Sequence, residues 1–295
     1  MAYDDLNCIN TAQGAATSGS DCWGLQFGYD VWANLLSASV TKCSAPMLNL
    51  GVNTNNRITN SGFSYDAAGN LLGDGSNTYT WDAEARMKTV AGITYTYDGD
   101  GRRVKKSNGK LYWYGAGSDP LEESALSGVA TADYIFFNGK RIARRKSPSG
   151  EINFYFADHL GSSRVVTSAT GQILDDSDFY PFGGERSIVS SSGNAYKFTG
   201  KERDTESGLD FFIARYYSSQ YGRFLSPDEF TGGPVDAFSS SDPLPPGPLP
   251  YADITNPQSL NKYPYTWNNP LRYTDPNGHW LETLWDAANV VAGVV

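Results

Sequence analysis

Cysteine, methionine and histidine are scarce in this 295-residue sequence, which holds three, three and two of them respectively. Cys8, Cys22 and Cys43 all fall in the first 43 positions. An odd number cannot pair completely within one chain, so no disulfide framework is expected; one local bridge is left open, with its connectivity unassigned. Basic charge is in deficit, with 23 Lys and Arg against 32 Asp and Glu and a formal net charge of -9, which argues against general nucleic-acid binding. No apolar run reaches the roughly 18 residues that a membrane-spanning helix needs, and the opening MAYDDLNCIN lacks the basic and apolar run of a secretory signal. Localisation is therefore unassigned, and export would use a non-classical route or a larger chain. The GxSxG elbow, phosphate loops, CxxC pairs and HExxH are all absent, so serine-hydrolase, nucleotide and zinc chemistry have no support. No cofactor and no metal are expected.

What is abundant is aromatic residues, at 14%, and glycine, at 31 residues. That balance suits aromatic-faced strands joined by tight turns, and the fold class expected is all-β. A seven-residue pattern recurs: aromatic, Asp, two variable residues, a small residue, a polar residue and an apolar one. It starts at Tyr3-Asp4, Tyr29-Asp30, Tyr65-Asp66 and Trp81-Asp82, and Tyr97-Asp98 begins a further copy. The last three starts are 16 residues apart, room for two short strands and two turns, so each unit is expected to be an antiparallel β-hairpin. Asp accepts backbone N–H groups within such a turn and Gly69 or Gly101 takes positive φ, whereas Asn7, Ala33 and Ala85 replace glycine and their turns are expected to differ. The repeated aromatics read first as core and only second as a carbohydrate-binding surface.

Along the chain, residues 1–60 carry the weaker repeats and a polar stretch, and are expected to form an irregular edge that begins inside a repeat array. Residues 61–154 form the hairpin repeats, with strands expected at 111–114, 134–137, 140–146 and 151–157. Ten of the 23 basic residues fall between 101 and 150, and are read as charges on exposed strand faces that guard against edge pairing rather than as a nucleic-acid patch. His159 is expected in a hydrogen-bonded turn, and Asp175, Asp176 and Asp178 in a solvated turn, since they lack the glycine and distal glutamate of a calcium loop. Residues 196–228, YKFTGKERDTESGLDFFIARYYSSQYGRFLSPD, combine turn signals with an apolar run at 209–217 that reads as one buried strand. Arg215 lies inside that run, where a guanidinium taken out of water must find carboxylates or carbonyls. The Pro-rich and Gly-rich stretch 230–257 reads as a long insertion loop, and residues 280–295 have helical apolar spacing.

Several dissimilar blocks occur together in one order: YFADHLG at 155–161, YPFG at 180–183, ARYY at 214–217, GRFLSPD at 222–228 and NNPLRYTDPNG at 268–278. In this the sequence resembles the Rhs-repeat-associated core of bacterial Rhs or YD-repeat polypeptides, and more distantly toxin-complex C subunits and teneurins. The resemblance spans roughly residues 29–278. It implies a ribbon of hairpins leading into a core plug at 155–279, followed at 280–295 by the short helical start of a truncated or lost C-terminal payload. In that family such ribbons spiral into a hollow shell around a toxic C-terminal domain, so a shell or plug module is the first function expected. The implied partners are the payload or the remainder of a longer chain, together with self-association through open sheet edges.

The resemblance also implies an alternative, intramolecular aspartyl autoproteolysis. Family members that cut themselves carry two Asp-containing blocks and an upstream Arg, which match Asp228 in SPDEF, Asp275 in TDPNG and Arg215 in ARYY. Two nearby carboxylates sharing a proton supply a base for water and an acid for the carbonyl. The cut would fall between His279 and Trp280. The sequence departs from the family at DEFTG in place of DPxG, in the longer proline-rich gap, and in carrying His279 where leucine usually precedes the cut.

Overall fold

The repeated Tyr-Asp unit is a five-residue turn, and its two backbone bonds are the same at every copy. At Asp66 the backbone N–H donates to the Asn70 carbonyl (3.0 Å), Gly69 N–H returns to the Asp66 carbonyl (3.2 Å), and the Asp66 carboxylate accepts the N–H groups of Gly69 and Asn70 at 2.8 Å each. Asp4, Asp30, Asp82 and Asp98 close the same two backbone bonds. The turns that lack glycine do not differ, contrary to expectation. Asn7, Ala33 and Ala85 take φ of 61°, 59° and 55° beside 100° for Gly69 and 77° for Gly101. The aspartate bonds and the strand pairing on either side hold these residues in the left-handed region despite its cost of about 1 kcal/mol. The same backbone bonds recur at Asn53 and Asp158, where the preceding residue is not aromatic and the repeat pattern gives no warning. His159 sits in the second of these turns, with Nε2 3.1 Å from the Leu271 carbonyl.

The structure, a computed structural model, describes residues 1–228, 257–279 and 282–283, and these are almost wholly antiparallel β. After the hairpin Phe63–Tyr65 with Leu71–Asp74, twelve strands from Tyr79–Trp81 to Glu185–Ser190 pair in strict chain order into one long sheet. The four strands expected between 110 and 157 are all present, as Lys110–Tyr114, Ala130–Phe137, Lys140–Lys146 and Ile152–Ala157. Repeats that follow one another in sequence pair with one another in space, which is how a hairpin meander grows.

Four of the expected elements need correction. Residues 1–60 are not an irregular edge: Ala2–Tyr3, Ile9–Gln13, Trp23–Tyr29, Leu35–Cys43 and Leu48–Asn49 form a five-stranded sheet, because Ile9, Ala12, Leu25, Phe27, Leu35 and Ala38 supply a buried cluster. The run at 209–217 is two strands, Asp210–Phe212 and Arg215–Ser218. Between them Ile213 takes φ 64° and Ala214 N–H donates to the carbonyls of Phe212 and Asn277, a turn with no glycine to announce it. Asp175, Asp176 and Asp178 lie on the strand Ile173–Phe179; Asp175 is buried and accepts the N–H groups of Ser191 and Ser192 at 2.8 and 2.9 Å, while Asp178 pairs with Arg164 and Arg186. Within the expected C-terminal helix, Glu282–Thr283 is instead extended and pairs with Tyr273–Thr274; the other residues of 280–295, and 229–256, which hold all but the last residue of the proline-rich stretch, lie outside the described residues.

A small four-stranded sheet, Glu202–Arg203, Asp210–Phe212, Arg215–Ser218 and Arg223–Phe224, is the hub. One face joins Phe212, Tyr217 and Phe224 to Phe198 and Tyr265, all at 0–1% exposure. The other carries Leu209, Phe211 and Tyr216 onto Leu71, Tyr79, Met87, Val90 and Tyr95 of the hairpins. Arg103, Lys106 and Arg144, expected on exposed strand faces, are buried. Arg103 donates to Glu202 (2.7 Å) and to both oxygens of Asp204 (2.6 and 2.9 Å), so basic residues of the ribbon are what the acidic KERDTESG turn docks against.

Cys22 and Cys43 are bridged, with Cα atoms 5.6 Å apart and a separation of 21 residues, and they tie the open end of the hairpin Trp23–Tyr29 with Leu35–Cys43. Cys8 is free and buried. Loop-closure entropy for a ring of this size is worth about 3 kcal/mol. Cys22→Ser is therefore expected to destabilise the chain by about that amount in urea unfolding; an unchanged midpoint would show that the hairpin is held by its packing alone.

Candidate functional site

Arg215 starts the strand Arg215–Ser218 directly after the tight turn at Ile213, and its side chain turns inward over the Phe224 ring, 3.7 Å from guanidinium carbon to centroid. Only 5% of the residue is exposed. Nη1 donates to the Lys262 carbonyl at 3.0 Å and Nε to the Gly278 carbonyl. Nη2 faces two carboxylates at once, Asp228 Oδ2 at 3.2 Å and Asp275 Oδ2 at 3.4 Å. The sequence-derived trio Arg215, Asp228 and Asp275 is thus brought together although its members are 13, 47 and 60 residues apart.

Two local structures deliver the carboxylates. The chain at 262–264 runs beside Arg223–Phe224, with Phe224 N–H on the Tyr263 carbonyl and Asp228 N–H on the Lys262 carbonyl, both at 2.9 Å. That pairing places Asp228 over Arg215. Asp275-Pro276-Asn277-Gly278 is a turn in which Asp275 Oδ1 accepts the Gly278 N–H at 2.7 Å. Gly278 has φ 84°, and a Cβ there would lie 2.5 Å from the Phe212 carbonyl oxygen, so only glycine lets the turn close onto the Arg215 strand. Lys201 Nζ holds the Pro276 carbonyl at 2.6 Å.

His279 follows that glycine. Its N–H donates to Asn277 Oδ1 at 3.0 Å, and ring Nδ1 lies 2.9 Å from Asp228 Oδ1. Trp280, the residue on the far side of the expected cut, lies outside the described residues. The Lys262 and Gly278 carbonyls and the His279 ring were not legible as site groups in the sequence. Asn277 and Gly278 after Asp275-Pro276 are the signal that an aspartate-capped turn would fold back there.

Burial pulls the Arg215 guanidinium below its ordinary value, while the Asp228 and Asp275 carboxylates push the other way. Burial likewise lowers the Lys262 ammonium, against the opposing pull of Asp228. One guanidinium nitrogen is thus faced by two carboxylates, both within 3.4 Å. The arrangement gathers two carboxyl groups and one guanidinium beside the Gly278 carbonyl.

A family model described as Teneurin YD-shell matches residues 3–270. The chain is 28% identical over 275 residues to the tRNA nuclease WapA of Bacillus subtilis, covering 87% of this chain and 11% of that protein. It is 31% identical over 133 residues to the toxin subunit YenC1 of Yersinia entomophaga, 43% of this chain and 11% of that one. The chain thus spans about a tenth of the length of these relatives. A solved structure of the Photorhabdus luminescens Tc holotoxin pore superimposes over 95% of this chain and 15% of that one, with a TM-score of 0.68 at 21% identity. The Tyr-Asp turns, the chain-ordered hairpin sheet and the match over 3–270 together make this chain an Rhs/YD-repeat polypeptide, and it belongs to the Teneurin YD-shell family.

Proposed function

We propose that the chain is a wall-and-plug segment of a YD-repeat shell that encloses a C-terminal payload, with residues 155–279 as the plug. The observation that carries this reading is the long sheet, which grows in chain order and does not close on itself: among the described residues Tyr79–Trp81 and Glu185–Ser190 are its two ends. Ends of this kind accept further strands. Residues 187–190 carry no charge, and Ile188 and Val189 are 57% and 39% exposed. The isolated chain is expected to self-associate across a concentration series in sedimentation velocity, and Val189→Lys to return it to monomer by placing a charge on that edge. A wild-type chain that stays monomeric throughout would count against the shell reading.

A second reading is favoured by one specific observation, the shared guanidinium nitrogen of Arg215 between Asp228 and Asp275. In this reading the segment cuts itself between His279 and Trp280. Ionised Asp228 takes a proton from water as the water oxygen bonds to the His279 carbonyl carbon, and protonated Asp275 gives its proton to the carbonyl oxygen. The C–N bond then breaks, and the leaving amine of Trp280 takes up a proton from the pair. Arg215 holds the approaching strand through the Gly278 carbonyl. A time course of intact mass reads the reaction directly.

A further inference from the structure

The residue before the proposed cut puts its own side chain into the carboxylate pair. His279 Nδ1 is 2.9 Å from Asp228 Oδ1, on the same carboxylate whose other oxygen faces Arg215 Nη2 at 3.2 Å. An ionised carboxylate only accepts hydrogen bonds, so in this pair Nδ1 carries the proton and donates it. The backbone of the same residue is fixed on both sides: its N–H is on Asn277 Oδ1, and the preceding carbonyl is on Arg215 Nε.

We propose that His279 is a positioning residue that restrains self-cleavage by holding Oδ1 of Asp228; this inference rests on the self-cleavage reading above. Two effects act in the same direction. A donor on a carboxylate lowers its affinity for a further proton, so Asp228 is a weaker base toward the attacking water while the imidazole N–H is bound to it. The ring and the carbonyl to be attacked also belong to one residue, and a ring anchored on the base ties that carbonyl to one distance and angle from it. The side chain of His279 is 35% exposed, so replacing it removes a contact of the site without emptying the core.

The test compares the wild type, His279→Leu and His279→Asn, each with and without Asp275→Asn, by the rate at which intact chain is lost. Leu removes the donor, and Asn places Nδ2 close to where Nδ1 stood. His279→Leu is expected to cut about tenfold faster than wild type, the size of effect that one hydrogen bond to a charged group carries. His279→Asn is expected to stay within about twofold of wild type, since the donor is restored. Equal rates in all three, a slower Leu variant, or an Asn variant as fast as Leu each overturn the inference while leaving self-cleavage standing, provided Asp275→Asn stops every cut. Cutting that survives Asp275→Asn, or no cutting in any chain, removes the self-cleavage reading and this inference with it.

Discussion

Replacing Arg103 by methionine is expected to remove about 3–5 kcal/mol of stability, the loss typical when one member of a buried ion network is deleted. Arg103 is 0% exposed, and its guanidinium is the only cation described in contact with both Glu202 and Asp204, at 2.7 and 2.6 Å. It also lies 4.3 Å from the Phe211 centroid and 4.9 Å from that of Tyr95. Methionine fills similar volume but leaves the two carboxylates to Lys106 and Lys110. Burial alone would push the Glu202 carboxyl up, yet Lys110, Arg103 and Lys106 outweigh it and hold the group well below its ordinary range. A folded value below the unfolded one means that this contribution is fully present above about pH 4.3 and is lost as the pH falls from there. The variant is therefore expected to lose most at neutral pH and to show a shallower decline toward acid than the wild type. Urea unfolding at several pH values checks both, and a loss under about 1 kcal/mol at neutral pH would show that the ribbon and the hub dock by apolar packing alone.

Asp275→Asn and Asp228→Asn are each expected to slow self-cleavage by about 10²–10⁴-fold, the contribution of one acid or base in the transition state. Asn at 275 keeps an oxygen for the Gly278 N–H, now 2.7 Å from Oδ1, so the turn survives while the proton donor is lost. Asn at 228 keeps an acceptor for the His279 ring and loses the base. Either substitution also takes one of the two carboxyl groups away from Arg215 Nη2. Circular dichroism unchanged beside an intact chain would separate this loss from misfolding.

Much of this architecture is legible in the sequence, because the repeat writes its own turn. Tyr65-Asp66 and Trp81-Asp82 announce hairpins through an aspartate that accepts two backbone N–H groups, and four of the five strands between 110 and 157 are legible in the sequence, Pro120–Ser124 being the exception. What stayed hidden is tertiary. Arg103 and Lys106 look like surface charge until the acidic turn at 202–206 closes over them, and nothing local distinguishes them from exposed Lys105. Ile213 has no glycine to betray its positive φ, since the turn is held from outside by the Asn277 carbonyl. The five-stranded sheet at the start leaves little trace in the sequence, because its repeats are irregularly spaced. The trio Arg215, Asp228 and Asp275 is legible only through the family resemblance; the partners that orient it, Gly278 and the Lys262 carbonyl, act through backbone and leave no side-chain signature.

Self-cleavage at this site is tested most directly by the intact mass of the purified chain during prolonged incubation, with Asp228→Asn and Asp275→Asn beside the wild type. The account predicts that the wild type alone resolves into a body ending at His279 and a fragment of residues 280–295 beginning with Trp280, while both variants keep the full mass. The same intact mass in all three would contradict it.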